Sequence, residues 1–437
     1  MTRSKILGVV LATVVMSSPA QAAELPSPDS VSTDRLQLMQ GFPPAADKQI
    51  TLASFMRPYP NPRWSFHHAR EIFPSRQVAR GNDGVYVLPQ APGLEDKIAT
   101  MRFTGPDGQE RSFEEYLAST YADGTLIMQN GKVIFERYQA GMPEDQPHIL
   151  WSVTKSFVGL LATQLIEEGK LDPKALVTDY LPELKDSGWR GATVQQVLDM
   201  TADINYSEVY SDAQSDVMKY ALAIGLGEAP ADYTGARDLY SYLPTISAGV
   251  DPHGKAFRYR TTHTETLGWI LRRVTGQSTS ALITERIWSK LGAEQDGYML
   301  LDPHGTEWAG AGFNVILRDL ARFGEMMRLN GEFNGHQIVS AKAIEEIRAG
   351  ADPEKFKAAG RDYQPGYSYH NQWWISHNRD GAFEALGVHG QMIHVNPKVG
   401  LVMVRLSSHP IASSGETLPL TIPALETLAD LLREEAE

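Results

Sequence analysis

The chain runs to 437 residues, 42% of them hydrophobic and 21% charged, with a formal net charge of −13. That length buries a large core and suggests two or more structural units, while the acidic balance and the lack of a Lys/Arg cluster speak against a nucleic-acid partner. With no cysteine, the chain has no disulfides, thiolate catalysis, Cys-ligated zinc or lipid attachment through a lipobox cysteine.

Arg3 and Lys5 precede the apolar run 6–16, and Ser17-Ser18-Pro19 then leads to Ala20-Gln21-Ala22. A charged start, an apolar run too short to span as a helix and an A-x-A site predict a signal peptide over 1–22. The mature chain is therefore expected in the periplasm or outside the cell, with no membrane span after cleavage. Residues 23–120 read as a Pro/Ser-rich arm and the start of the catalytic unit, docked by the aromatics of Trp64-Ser65-Phe66-His67-His68 and Phe73. His67 and His68 have no third ligand at a metal-binding spacing and read as packing residues. No P-loop, Rossmann glycine fingerprint or H-E-x-x-H occurs, and no metal or other cofactor is expected.

The first clear β signal is Asn130-Gly131 between the strand-like runs 125–129 and 132–138. It leads to Leu150-Trp151-Ser152-Val153-Thr154-Lys155-Ser156, which opens the helix-like run 157–168 before Gly169. At a helix N-terminus, free N–H groups favour negative charge developing on Ser152. Lys155, three residues on, shares its face, and desolvation would lower its pKa so that it acts as a base. S-x-x-K alone is equally a serine cap followed by a solvated lysine, so the rest of the chain has to decide.

From 193 to about 300 the pattern is mainly helical; at 392–407 it returns to a β-hairpin, and an amphipathic helix follows over 422–435. The expected fold is α/β (α+β), with an antiparallel central sheet built from both chain ends and flanked by helices. Residues 121–190 and 301–437 would form that sheet unit, and 191–300 an inserted, mainly helical region carrying Tyr210 and Tyr259.

A serine nucleophile also needs a proton donor for the leaving group and an oxyanion hole. Phe257-Arg258-Tyr259-Arg260-Thr261 places a tyrosine at a helix mouth, where the two arginines are expected to lower the phenol pKa. Leu386-Gly387-Val388-His389-Gly390-Gln391 opens the last hairpin. There Gly390 would let substrate approach closely, and the Gln391 N–H would face an oxyanion.

Ser-x-x-Lys, a tyrosine motif and a glycine-bearing strand, in that order, resemble the serine β-lactamase and penicillin-binding superfamily, in its class C-like branch. More closely, the chain resembles the 6-aminohexanoate-dimer hydrolases. The likeness rests on Trp64-Ser-Phe-x-His68, Phe73-Pro-Ser75, Ser152-Val-x-Lys-Ser156, Val197-Leu-Asp-Met200 and Tyr206-Ser-Glu-x-Tyr210, continuing at Phe257-x-Tyr259, Leu267-x-Trp269, His389-Gly-Gln391 and Leu406-Ser-Ser408. The resemblance implies a β-lactamase-like fold and cleavage of a small-molecule amide or ester through an acyl-enzyme on Ser152. By the same resemblance Lys155 and Tyr259 share the acid–base work, the N–H groups of Ser152 and Gln391 form the oxyanion hole, and Tyr210, His389 and Gly390 meet substrate. Val388-His389-Gly390 stands where the superfamily has Lys-Thr-Gly, which implies weak binding of a β-lactam carboxylate. The competing readings are a D,D-peptidase or β-lactamase and a non-catalytic peptidoglycan- or peptide-binding protein of the same fold.

Overall fold

The structure, a computed structural model, describes residues 25–435; the predicted signal segment lies outside the described residues. Asn130 and Gly131, at φ 49° and 79°, turn the chain between β1 (Ala122–Gln129) and β2 (Lys132–Tyr138), as that dipeptide dictates. Near the other end of the chain come β3 (Ser368–His370), β4 (Trp373–Ile375), β5 (Phe383–Leu386), β6 (Met392–Asn396) and β7 (Leu401–Ser407). Together they form one seven-stranded antiparallel sheet in the order β3-β4-β5-β6-β7-β1-β2. The two chain ends meet where β7 pairs with β1, Leu401 opposite Gln129 and Leu406 opposite Gly124.

Four helices frame this sheet and the site: α1 (Thr154–Glu167), α2 (Thr261–Thr275), α3 (Leu317–Arg328) and α4 (Leu418–Glu434). Alternation along the strands decides which core each residue joins. Leu126, Met128, Val402, Val404 and Leu406 pack on one face with Leu161 of α1 and Phe323 of α3. Ile127, Leu401 and Met403 pack on the other with Tyr116 and with Leu425 and Leu428 of α4. Each such side chain contributes about 1.5–3 kcal/mol over its exposed state. Among the described residues, no helix is long and apolar enough to cross a membrane.

A second sheet was not foreseen. It runs Ser75–Val78, Gly297–Leu300, Phe313–Val315, His148–Ile149. Its strands are too short to show alternation and their partners lie far apart in sequence, so Gly297–Leu300 falls at the end of a stretch expected to be helical. This sheet positions the chain just before the candidate nucleophile. Ile149 N–H donates to the Phe66 carbonyl and Leu150 N–H to the Phe313 carbonyl, each at 2.8 Å.

The N-terminal arm is tied in by a buried ion pair. Arg63 Nη1 lies 2.6 Å from Asp123 Oδ1, with both side chains 1% exposed, and His148 Nε2 sits 3.4 Å from the other carboxylate oxygen. Burial pushes the Asp123 carboxyl up, but Arg63 and His148 outweigh it and leave it below its ordinary value. His67 and His68, read as packing residues, meet the carbonyls of Arg63 and Trp64 at 2.7 and 2.8 Å, and His68 stacks on Trp64.

Candidate active site

Ser152 occupies a single 3-10 turn, Trp151–Val153, from which α1 continues. Trp151 enters it at φ 46°, a left-handed conformation that a bulky residue adopts only where its surroundings impose it. Phe66 does so from the arm, packing edge-on against the indole at 5.3 Å. Further along α1, a Cβ on Gly159 would come within 2.1 Å of the Asn371 carbonyl, so only glycine lets the helix approach the β3–β4 turn this closely. Ser156 Oγ then donates to the Gln372 carbonyl at 2.8 Å, and Trp373 Nε1 donates back to the Ser156 carbonyl at 3.2 Å. The N-terminal end of α1 is thereby held against the sheet.

Lys155 is 1% exposed. Its Nζ lies 2.9 Å from Ser152 Oγ and donates to the Gly310 carbonyl at 2.6 Å. Both partners are neutral, so burial dominates over the more remote Glu208 and Glu265 and lowers the lysine to about 8. The expectation of a desolvated lysine within reach of Ser152 matches this geometry.

Tyr259 ends the segment leading into α2. Its ring stacks on Trp374 at 5.6 Å, and Lys155 Nζ sits 5.3 Å from the ring centre. Contrary to expectation, its neighbouring arginines do not lower the phenol pKa. Burial, followed by the charge of Glu208, pushes the Tyr259 phenol well above its ordinary value, against the smaller effects of a hydrogen bond with Ser152 and the charge of Arg361. Arg258 is spent on Asp203 at 3.1 Å and Asp251 at 2.7 Å, and Arg260 Nη1 donates to the Tyr259 carbonyl at 2.8 Å. Neither arginine is among the charges that act on the phenol, so adjacency in sequence did not set its environment.

Glu208 organises this side of the site. Its carboxylate accepts the Thr261 N–H and hydroxyl and the Tyr210 hydroxyl, all at 2.6 Å, and so caps the positive end of α2. Tyr210 joins Ser152 in the lining of a cavity of about 340 Å3. Arg258, Arg260 and Arg361 also face this cavity, and Trp374 forms a wall. Arg361 lies over the Trp374 ring at 4.7 Å, on hydrogen bonds to Tyr363 Oη and Ser414 Oγ.

The strand-edge residues need correction. His389, Gly390 and Gln391 do not line the cavity; Leu386, Gly387 and Val388 do. His389 is buried beside Phe66 and Trp151, with Nδ1 2.7 Å from the His409 carbonyl, and burial lowers it to about 4. Gly390 faces Ser407: a Cβ there would fall 2.9 Å from its Oγ. The Gln391 side chain is consumed by β7, exchanging hydrogen bonds with the Ser407 carbonyl and N–H. Gly387 instead abuts the nucleophile turn, where a Cβ would lie 2.7 Å from the Leu150 carbonyl. The backbone beside Ser152 is thus Gly387-Val388, three residues before Gln391.

Sequence reasoning also missed Arg361, Glu265 and Gly310. Glu208 had a signal, since it lies inside the Tyr206–Tyr210 stretch; Arg361 and Gly310 sit in loops without periodicity.

The beta-lactamase family profile matches residues 110–419. The 6-aminohexanoate-dimer hydrolase of Paenarthrobacter ureafaciens is 35% identical over 371 residues, 84% of this chain and 91% of the relative. A solved structure from Bacillus anthracis, named as a 6-aminohexanoate-dimer hydrolase, superposes with a TM-score of 0.80 at 31% identity, covering 90% of this chain and 99% of its own. Esterase EstB of Burkholderia gladioli is 26% identical over 190 residues, 41% of this chain and 47% of the esterase.

Proposed function

The chain belongs to the beta-lactamase family and has its fold, and from that premise we propose an acyl-enzyme cycle on Ser152 that cleaves a small amide or ester. It is a serine hydrolase. The observation that carries the proposal is the buried, carboxylate-free contact of Lys155 Nζ with Ser152 Oγ at 2.9 Å. A lysine lowered to about 8 has an appreciable neutral fraction near neutral pH and can take the serine proton as Oγ attacks the carbonyl. In this reading the oxyanion forms between the N–H groups of Ser152 and Val388, the latter replacing Gln391. Tyr259, held neutral, hands its proton to the leaving nitrogen and is reprotonated by the Lys155 ammonium that took the serine proton, so free phenolate never accumulates. Water then attacks the acyl carbonyl, Lys155 takes its proton and passes it to Ser152 Oγ, and the serine departs as the alcohol with the lysine neutral again.

The cavity supports a substrate with a carboxylate group. Arg260 and Arg361 form no ion pair with a carboxylate among the described residues, although the chain as a whole is acidic. The 6-aminohexanoate dimer, the substrate in the name of the Paenarthrobacter relative, is a linear amide with a terminal amine and a terminal carboxylate, and its carboxylate end suits a cationic wall. The same arginines remove the argument that β-lactam carboxylates lack a cation here. Discrimination against penicillins has to come from cavity shape, and a panel of linear amides, esters, D-Ala-D-Ala peptides and nitrocefin decides it.

The test of the central reading is Ser152→Ala. Intact-mass spectrometry after exposure to an alkyl phosphonate should show one adduct on the wild type and none on the variant, at unchanged Tm. Absence of any wild-type adduct would favour a non-catalytic binding protein of this fold. The leader composition of residues 3–22 supports export to the periplasm or beyond; N-terminal sequencing of the protein recovered from cell fractions should begin at Ala23.

A further inference from the structure

We propose that Glu265 is a positioning residue for the base: it clamps the turn whose carbonyl orients Lys155, and its carboxylate is the buried counter-charge to that lysine. The proposal rests on Lys155 acting as the base for Ser152.

Glu265 lies on α2, only 3% exposed. Oε2 accepts the Ala309 N–H at 2.9 Å; Oε1 accepts the Gly310 N–H at 2.9 Å and the Tyr220 hydroxyl at 2.6 Å. The carbonyl of the same Gly310 accepts the Lys155 hydrogen bond at 2.6 Å. A single residue, Gly310, thus separates the carboxylate from the lysine, and the clamp sets the direction in which Nζ points. A Cβ on Gly310 would meet Thr261 Cγ2 at 2.7 Å and Glu265 Oε1 at 2.9 Å, so only a glycine lies this flat on the carboxylate. With one N–H held by Gly310, a neutral Lys155 can turn its lone pair to the Ser152 hydroxyl.

The charges are balanced as well. Burial raises the Glu265 carboxyl to about 7 and lowers Lys155 to about 8, and each group's charge opposes the shift of the other. The other groups facing this pair are Tyr259 at the mouth of α2, Glu208 from the loop beside it and Tyr220 from the helix Asp216–Ala223. Tyr240, on the helix Leu239–Tyr242, feels the Glu265 charge as well. None of these supplies a second cation, so Glu265 and Glu208 are the charges that keep Lys155 from losing its proton more easily still.

The experiment is the pH profile of kcat/KM for a nitrophenyl ester. A base must be neutral, so activity rises with pH through the Lys155 titration. Glu265→Gln removes the negative charge, which lowers the lysine further; the acid limb should move down by roughly 1 pH unit. kcat should also fall roughly tenfold through loss of orientation, with KM nearly unchanged. Glu265→Asp keeps the charge but shortens the clamp, so its limb should return to the wild-type position while kcat stays low. Tyr220→Phe, which only removes one donor from the carboxylate, covers the case where Glu265→Gln fails to fold. It makes Glu265 easier to protonate and should move the limb down by a smaller amount. Limbs of folded Glu265→Gln and Tyr220→Phe that superpose on wild type would overturn the proposal, provided the phosphonate still labels Ser152. If the wild type does not label, the nucleophile reading itself has failed.

Discussion

Two fully buried cations in this molecule, Arg63 and Lys155, are each 1% exposed and have opposite fates. Arg63 meets a carboxylate at 2.6 Å, and its pKa stays above the ordinary value despite burial because Asp123 supplies the counter-charge. Lys155 meets a hydroxyl and a carbonyl, its nearest carboxylates act only at a distance, and burial wins. Burial alone therefore does not make a reactive group. Withholding the contact partner does, at a cost in stability that a purely structural site has no reason to bear. The residue types follow the same division. A guanidinium cannot deprotonate under these conditions and suits a permanent tie, whereas an ammonium can and suits a base.

The sharpest way to break this comparison is to neutralise each cation with the same side chain. Lys155→Met should reduce phosphonate acylation of Ser152 and amide turnover by about 10²- to 10⁴-fold, the range of a general base. Its unfolding free energy should stay at wild type or rise by up to about 2 kcal/mol, because a poorly compensated buried charge is removed. A marked fall in Tm with retained acylation would place Lys155 in the structural class instead.

Arg63→Met should do the reverse. It leaves Asp123 buried without its main partner, and breaking such a pair costs about 3–5 kcal/mol. Urea unfolding should report that loss, while the acylation rate per folded molecule stays within about threefold of wild type, a shift smaller than 1 kcal/mol. Unchanged stability would mean that His148 and water compensate the carboxylate fully.

The difference between these cations was only partly legible in the sequence. Ser152 and Lys155 were readable because a helix converts a spacing of three residues into a contact. The central sheet was readable too: Asn130-Gly131 and the run 401–407 mark two hairpins, and each hairpin needs only local information. Arg63 and Asp123 lie 60 residues apart, so nothing in either neighbourhood announces the other. The same holds for Glu265 and Gly310, whose hydrogen bond spans 45 positions. At the strand edge, counting residues along Gly387–Gln391 located the segment, but a turn at His389, φ 62°, decided which backbone faces Ser152. At Tyr259 the adjacent arginines do not form its environment; Trp374, Glu208 and Arg361, distant in sequence, do.

Tyr259 belongs with Lys155 in this division, and the smallest expected effect concerns it. Burial and Glu208 keep the phenol protonated across the working pH range, so it serves as a donor relayed by Lys155 rather than as a standing base. An amine leaves poorly unless it is protonated, whereas a nitrophenolate leaves without help, so only amide cleavage depends fully on a placed proton. Tyr259→Phe keeps the ring stacked on Trp374 and removes the hydroxyl alone. Amide turnover should then fall roughly tenfold further than nitrophenyl ester turnover, a modest part of what a general acid supplies. Tm should hold, because the stacking that anchors the ring is intact. Equal losses on both substrates would assign the tyrosine to packing beneath α2, and the proton for the leaving group would have to come from Lys155 directly.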